Sequence, residues 1–142
     1  MRTVKQLLDE KGHDVVSVAP DASVIDALRL MSEHGIGALV VLDGSRLAGV
    51  MSERDYARKV VLHGRSSAET RVKDIMSSQV HTVIPDDTVN ACMLLMTQRR
   101  IRHLPVMDGG GVAGMLSIGD LVKAVIADQQ EEISQLQQYI AG

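Results

Sequence analysis

The stretch Gly49-Val50-Met51-Ser52-Glu53-Arg54-Asp55 returns 65 residues later as Gly114-Met115-Leu116-Ser117-Ile118-Gly119-Asp120. Both copies keep a glycine, two apolar residues, a serine and, three residues after the serine, an aspartate. The same shift of 65 residues aligns 17–60 with 82–125 without a gap, and 16 of the 44 aligned positions are identical. A repeat of this length and fidelity indicates two copies of one structural unit.

Three strands are predicted in each copy. The first is a short β-branched run, Val15–Val18 or Val80–Ile84, that stops before a proline. The other two form a β-hairpin, because apolar runs at 38–42 and 104–107 lead into turns at Asp43-Gly44-Ser45 and Asp108-Gly109-Gly110. The strand pattern is therefore the same in both copies.

Two helices complete each copy, which gives the order β-α-β-β-α. Ser23 and Thr88 stand at N-cap positions before apolar residues spaced i, i+3, i+4, i+7. Gly35 is suited to cap the C-terminus of the first such helix, whereas Arg100 holds that place in the second, so the two helix ends are expected to differ. The last helices are predicted at 53–62 and from Ile118 to about residue 140, with a weak point at 128–130.

The repeat also sets the domain organisation. We predict a first unit at 1–63, a polar linker at 64–71 and a second unit at 72–142. Val4-Lys5-Gln6-Leu7-Leu8 is echoed by Val72-Lys73-Asp74-Ile75-Met76, so each unit has a short helical lead-in. Units of about 65 residues would be marginal alone, which favours a shared core.

Composition excludes several classes of function. Fifteen Lys and Arg against 18 Asp and Glu give a formal charge of −3, and Phe and Trp are absent, so nucleic-acid binding is not expected. The longest apolar run, Ala38–Leu42, is too short for a membrane span, and the first residues lack a secretory signal, which predicts a soluble cytoplasmic protein. Cys92 lies on an apolar helix face and is predicted to be a buried thiol.

No catalytic motif is present. Gly109, Gly111 and Gly114 match G-x-G-x-x-G, but they lie between two strands, whereas a dinucleotide fingerprint follows a strand and opens a helix. The five histidines lack metal-ligand spacing, so no metal site is expected. No nucleophile elbow, Walker loop or apolar carboxylate pair occurs. We therefore expect a protein that is not an enzyme.

The repeated Ser-x-x-Asp step has two interpretations. As a helix cap, the serine accepts an amide hydrogen bond and the acidic residue favours the helix N-terminus. As a binding site, an aspartate kept between variable neighbours, a glycine three residues before the serine and free helix amides would suit a ligand. The pattern favours serines that cap and aspartates that bind.

Tandem β-α-β-β-α units with this glycine, serine and aspartate at the third strand and second helix resemble a pair of cystathionine β-synthase (CBS) domains. The resemblance covers essentially the whole chain, which is similar to small stand-alone bacterial CBS-pair proteins. It implies an α/β (α+β) module in which two repeats pack with pseudo-twofold symmetry and leave two clefts for adenosine-containing ligands. It also implies a homodimer formed through the modules and the C-terminal helix.

The resemblance further implies the site residues. Asp55 and Asp120 would hold the ribose hydroxyls by charge-assisted hydrogen bonds, and Ser52 and Ser117 would approach phosphate or ribose. The adenine would lie near strand residues, namely Gly37 and Ala38 in the first copy and Thr82, Arg102, His103, Leu104 and Pro105 in the second. Arg102 and His103, then Arg54, are the expected phosphate contacts, whereas Arg58 and Lys59 are more ordinary and one can pair with Asp55. Because the copies differ at these positions, the two clefts are expected to be unequal.

Two functions remain open. The first is a non-catalytic sensor that needs no cofactor, binds AMP, ADP, ATP or NAD(H), and passes a population shift to an unidentified protein partner. The second is a structural or interaction protein in which the motifs are only helix caps. The long terminal helix would then matter most. Under both functions the sequence leaves open whether that helix packs on a second subunit or frays.

Overall fold

The duplicated unit appears in both halves of the computed structural model, which describes residues 2–141. The first half contains α1 (Val4–Lys11), β1 (Ser17–Val18), α2 (Val24–His34), β2 (Ala38–Asp43), β3 (Arg46–Ser52) and α3 (Glu53–Tyr56), which continues as a π-helical turn at Ala57–Val61. The second half contains a 3₁₀ turn (Val72–Asp74), α4 (Val89–Arg99), β4 (His103–Asp108), β5 (Gly111–Ser117) and α5 (Ile118–Ala141). The mixed α/β class is thus confirmed, while Met1 and Gly142, the outer bounds of the predicted units, lie outside the described residues.

The C-terminal helix has about the predicted length but is more regular than the sequence indicates. α5 runs for 24 residues without a break at 128–130, where a weak point was predicted. No helix within residues 2–141 is both long enough and apolar enough to cross a membrane. α5 therefore extends well past the residues that build the second half of the core.

Sheet pairing is nearly the same in the two repeats. β1 runs parallel to β2, and β2 pairs antiparallel with β3, with an irregularity between Val41 and Leu42. β4 pairs antiparallel with β5, with an irregularity at the equivalent place, between Val106 and Met107. The predicted hairpins are confirmed.

The strand predicted at 80–84 is wrong, because only a single parallel bridge forms there, between Val83 and Val106. In the first repeat the amide of Val40 donates to the carbonyl of Val16 at 3.2 Å and extends the pairing. The residue equivalent to Val40 is Pro105, which has no N–H to donate. One proline therefore reduces the third strand of the second sheet to a bridge.

Helix caps follow the sequence closely. The hydroxyl of Ser23 accepts from the amide of Asp26 at 3.2 Å, and that of Thr88 accepts from Ala91 at 3.1 Å, which confirms both N-caps. The expected difference between the C-caps is wrong in geometry, since both residues are left-handed, Gly35 with φ 62° and Arg100 with φ 55°. They differ in cost, because a residue with a Cβ is disfavoured in that conformation.

The hydrophobic core consists of two clusters, and each cluster takes its lead-in from the other repeat. Val4, Leu7 and Leu8 of α1 pack with second-repeat residues such as Leu116 and Leu121. Val72 and Ile75 pack with first-repeat residues, including Val24, Met31 and Met51. Cys92 is fully buried in the cluster that contains α1, and burial raises the pKa of its thiol to about 11, as expected of an inert thiol.

Matching backbone hydrogen bonds hold the exchanged lead-ins. Val4 N donates to Asp87 O at 2.8 Å and Val72 N donates to Ala22 O at 2.9 Å. Each lead-in is thus bound to the other repeat through an equivalent backbone amide. Neither repeat completes its core without the segment that precedes the other one.

The motif glycines allow these lead-ins to pack. A Cβ on Gly114 would lie 2.7 Å from Leu8 Cδ2, and one on Gly49 would lie 2.8 Å from both Met76 Sδ and the carbonyl oxygen of Ser77. These distances are shorter than real Cβ contacts. The idea that these glycines admit a ligand to the backbone is therefore wrong, because a segment of the chain itself occupies that space.

Candidate functional site

Two clefts lie where the repeats meet, with volumes of about 280 Å³ and 290 Å³. Cleft 1 joins the Ser-x-x-Asp step of the first repeat to the segment before β4, and its lining includes Ser52, Glu53, Arg54, Asp55, Arg58, Ser77, Gln79, His81, Arg100, Arg102 and His103. Cleft 2 joins the Ser-x-x-Asp step of the second repeat to the segment before β2, and its lining includes Lys11, Asp14, Val16, Gly35, Gly37, Ala38, His103, Met115, Ser117 and Asp120. Each cleft therefore needs both repeats.

In cleft 1, Ser52 and Asp55 cap α3 reciprocally. The amide of Asp55 donates to Ser52 Oγ at 3.2 Å, and the amide of Ser52 donates to Asp55 Oδ2 at 2.9 Å. Lys59 Nζ lies 3.2 Å from Asp55 Oδ1, which confirms that one of the two neighbouring cations pairs with this carboxylate. Asp55 is thus both a capping residue and a charged group at the wall of the cleft.

In cleft 2, Ser117 and Asp120 repeat this geometry at the start of α5. The amide of Asp120 donates to Ser117 Oγ at 3.2 Å, the amide of Ser117 donates to Asp120 Oδ2 at 2.8 Å, and Lys11 Nζ lies 2.6 Å from the same Oδ2. Burial acts to raise the pKa of the Asp120 carboxyl, but the hydrogen bonds from Lys11 and Ser117 outweigh it and hold that pKa below its usual value. The carboxylate is therefore ionised at neutral pH.

His103 belongs to both clefts and forms the wall between them. Its pKa is lowered by burial and by the nearby charges of Lys11 and Arg102, against the opposing effect of Asp120. A Cβ on Gly37 would lie 3.8 Å from His103 Cε1, so the two repeats meet at this side chain. At neutral pH His103 offers a hydrogen bond to a ligand rather than a positive charge.

The family follows from a match of the CBS domain model to residues 4–62 and again to 72–127. The chain belongs to the CBS domain family. These two matched segments correspond to the CBS repeats that form the clefts.

Similar proteins come from distant sources. A mitochondrial CBS domain-containing protein of Arabidopsis thaliana, CBSX3, is 42% identical over 149 aligned residues, covering 99% of this chain and 72% of the plant protein. A putative signal-transduction protein with CBS domains from Burkholderia ambifaria is 53% identical with a TM-score of 0.86, covering 90% of this chain and 96% of that one. The CBS domain pair of protein MJ0100, solved with 5′-methylthioadenosine and S-adenosyl-L-methionine, shares the fold at 21% identity, with a TM-score of 0.79 and coverage of 89% and 98%.

The structure brings together most of the residues proposed from the sequence. Cleft 1 contains Ser52, Arg54, Asp55, Arg102 and His103, and cleft 2 contains Gly37, Ala38, His103, Ser117 and Asp120. Three others lie elsewhere. Leu104 and Pro105 are buried within β4, and Thr82 is exposed but lines neither cleft. Because side chains alternate along a strand, Leu104 turns away from the cleft that His103 lines.

Several lining residues have no counterpart in the sequence interpretation. Lys11 and Asp14 reach cleft 2 because α1 packs on the second CBS repeat, and Ser77, Gln79 and His81 reach cleft 1 for the equivalent reason. The lead-ins match at a shift of 68 residues rather than 65, and this difference does not reveal that they are exchanged. Arg100 had a clearer signal, as an arginine where the other repeat has a capping glycine.

Proposed function

We propose that the protein is a non-catalytic regulatory module that binds adenosine-containing nucleotides, AMP, ADP, ATP or NAD(H), in the clefts between its CBS repeats and signals occupancy to a protein partner. One observation carries the proposal. In both clefts a reciprocal Ser–Asp pair at a helix N-terminus faces residues from the other repeat, so one ligand would touch both repeats. Binding would therefore change how the repeats sit against each other.

The chemistry of the clefts suits a nucleoside. In cleft 2 both hydrogen bonds to the Asp120 carboxylate use Oδ2, so Oδ1 keeps its acceptor capacity for a ribose hydroxyl. In cleft 1 a hydroxyl would share Asp55 Oδ1 with Lys59 and with the hydroxyl of Ser77. The MJ0100 domain pair, which shares the fold, was solved with two adenosine derivatives. This supports an adenosine ligand without selecting one.

Thermal unfolding of the full chain with AMP, ADP, ATP and NADH tests the proposal, with GTP as the matched purine control. A ligand at a hundred times its dissociation constant adds about 2.7 kcal/mol to the free energy of unfolding. For a chain of this length that raises Tm by roughly 3 °C per kcal/mol. If no adenosine compound raises Tm, the protein is a structural or interaction module and the sensor proposal is wrong.

An effect on ligand binding must be distinguished from an effect on helix capping, since Asp55 and Asp120 also stabilise their helices. Asp55→Asn and Asp120→Asn remove the charge, and each should reduce the Tm shift caused by a ligand of its own cleft. Thr88→Ala is the matched control, because it removes an N-cap hydrogen bond of 3.1 Å at a position that lines neither cleft. Thr88→Ala should lower the free energy of unfolding by about 1 kcal/mol, as the loss of a helix cap does, and should leave the ligand-induced shift in Tm unchanged.

A homodimer is proposed as the signalling form. Within the described chain, α5 contributes no residue beyond Ala124 to the buried core, yet it exposes an apolar stripe of Val122, Ile126, Ile133, Leu136 and Ile140, each 40–82% exposed. Isoleucines recur every seven residues at 126, 133 and 140, with Leu136 between the last two, which is the pattern of a two-stranded coiled coil. A second copy of α5 is therefore the proposed occupant.

Sedimentation analysis of Ile133→Lys tests the dimer. The variant should be monomeric, whereas Ser134→Lys, which adds the same charge one position away and off the apolar stripe, should keep the wild-type mass. Equal masses for wild type and Ile133→Lys would show that α5 does not form the dimer interface.

A cytoplasmic location is also proposed, since the single cysteine, Cys92, has no partner in the chain for a disulfide.

A further inference from the structure

The two clefts differ in the sign of their charge. Cleft 1 is lined by four arginines and two carboxylates, which leaves two positive charges in excess. Cleft 2 is lined by one lysine and two carboxylates, which leaves one negative charge in excess. The two clefts thus have nearly equal volumes and equivalent capping geometry, but they present electrostatic potentials of opposite sign to a ligand.

The arginines of cleft 1 form no salt bridge within residues 2–141. Among residues 2–141, none of Arg54, Arg58, Arg100 and Arg102 has a carboxylate oxygen within 4.0 Å. In cleft 2, by contrast, the lysine of the lining is already bound to Asp120 at 2.6 Å. Cleft 1 therefore has arginines available for an anion, whereas the cation of cleft 2 is engaged.

Arg100 gives an independent indication. It has φ 55° and is the one non-glycine residue with positive φ in the described chain 2–141, while its counterpart Gly35 adopts the same conformation without a Cβ. A left-handed residue with a Cβ costs about 1–2 kcal/mol, and strain of this kind concentrates at functional positions. The strained residue lines cleft 1.

We propose that cleft 1 takes adenosine ligands with a di- or triphosphate, and that cleft 2 takes adenosine derivatives without phosphate, uncharged or cationic at the 5′ position. The assignment rests on the proposed adenosine-binding function and adds the charge class of ligand for each cleft. Guanidinium groups pair with phosphate oxygens in bidentate fashion. The carboxylates of Asp14 and Asp120 would repel a polyphosphate from cleft 2.

Titration calorimetry of the full chain with ATP and with 5′-methylthioadenosine tests the assignment. The double variant Arg54→Gln/Arg58→Gln should weaken ATP binding at least about tenfold, since two charge-assisted contacts are lost, and should reduce its dependence on salt. Binding of 5′-methylthioadenosine should be unchanged. Both arginines are exposed, so the variant should keep the wild-type Tm.

The matched control is Arg29→Gln/Arg46→Gln, which makes the same change in net charge at two exposed arginines outside both clefts. It should leave the affinity for ATP within about twofold of wild type, because screening removes distant surface charges. In the reciprocal experiment, Asp120→Asn should weaken 5′-methylthioadenosine more than ATP.

Each other outcome overturns the assignment. If Arg54→Gln/Arg58→Gln weakens both ligands equally, or neither, the charge of cleft 1 does not select phosphate, although the adenosine-binding function stands. If Asp120→Asn weakens ATP more than 5′-methylthioadenosine, the clefts are assigned in reverse. If wild type binds neither compound, the assignment fails, and the thermal-shift panel of AMP, ADP, ATP and NADH decides separately whether the proposed function stands.

Discussion

The motif glycines should be packing residues, and Gly114→Ala tests this reasoning most directly. The new Cβ would lie 2.7 Å from Leu8 Cδ2, on a side chain that is 1% exposed in the core. Overpacking of this kind costs about 1–3 kcal/mol, and the reduced freedom of the unfolded chain returns roughly 0.4–1 kcal/mol. We expect a net loss of about 1–2 kcal/mol in the free energy of unfolding.

A double-mutant cycle with Leu8→Ala identifies the cause. Leu8→Ala alone should cost about 2–5 kcal/mol, because it leaves a cavity beneath α1. In Gly114→Ala/Leu8→Ala, the added methyl enters space that the leucine has vacated. The double variant should therefore be at least about 1 kcal/mol more stable than the sum of the single losses.

Urea unfolding followed by circular dichroism, with nucleotide absent, measures all four proteins. Additivity to within about 0.5 kcal/mol would refute the packing explanation, since independent sites behave in that way. Gly49→Ala extends the test. Its Cβ would lie 2.8 Å from the carbonyl oxygen of Ser77, which is fixed by the amide of Val50 at 3.0 Å, so this variant should lose more stability than Gly114→Ala.

Three further variants test other features. Arg100→Gly should raise the free energy of unfolding by up to about 1 kcal/mol, because glycine lacks the Cβ that disfavours φ 55°; an unchanged urea midpoint would contradict this. His103→Gln should make the free energy of unfolding less dependent on pH below about 6.5. The pKa of His103 is lowered in the folded protein, so the unfolded chain binds the proton more readily. Wild-type stability therefore falls as the pH drops from about 6.5 through that lower pKa. Equal slopes for both proteins would exclude this role. Pro105→Val should supply an amide that pairs with the carbonyl of His81 and is slow in hydrogen exchange; fast exchange would show that the strand does not extend.

Local sequence patterns were sufficient for most of the fold. Ser23 and Thr88 predicted the helix starts because a hydroxyl at an N-cap accepts a hydrogen bond from a free backbone amide. The Asp-Gly pairs predicted the hairpins because glycine allows the backbone conformation that tight turns need. The strand at 80–84 failed because its pairing depends on Pro105, a residue of another strand. β-branched composition reports a preference for extended backbone, whereas a strand also needs a partner that can donate.

The site was predictable only in part. Ser52, Asp55, Ser117 and Asp120 repeat as a motif, so comparison of the two halves identified them. Lys11 carries no such signal, because its place in cleft 2 results from the exchange of lead-ins, which is a long-range packing choice. The same exchange explains why the glycine of the motif was assigned to ligand access when its space is filled by Leu8.

The exchanged lead-ins also constrain how the chain can acquire its structure on the ribosome. Val4, Leu7 and Leu8 are synthesised before the first repeat and the linker, whereas their partners Leu116 and Leu121 follow only in the second repeat. The first repeat likewise lacks Val72 and Ile75 until the linker has been synthesised. Domains usually fold in turn as they emerge, and contacts far apart in sequence form slowly. The nascent protein must therefore keep the apolar residues of α1 without their partners until the second repeat has been synthesised.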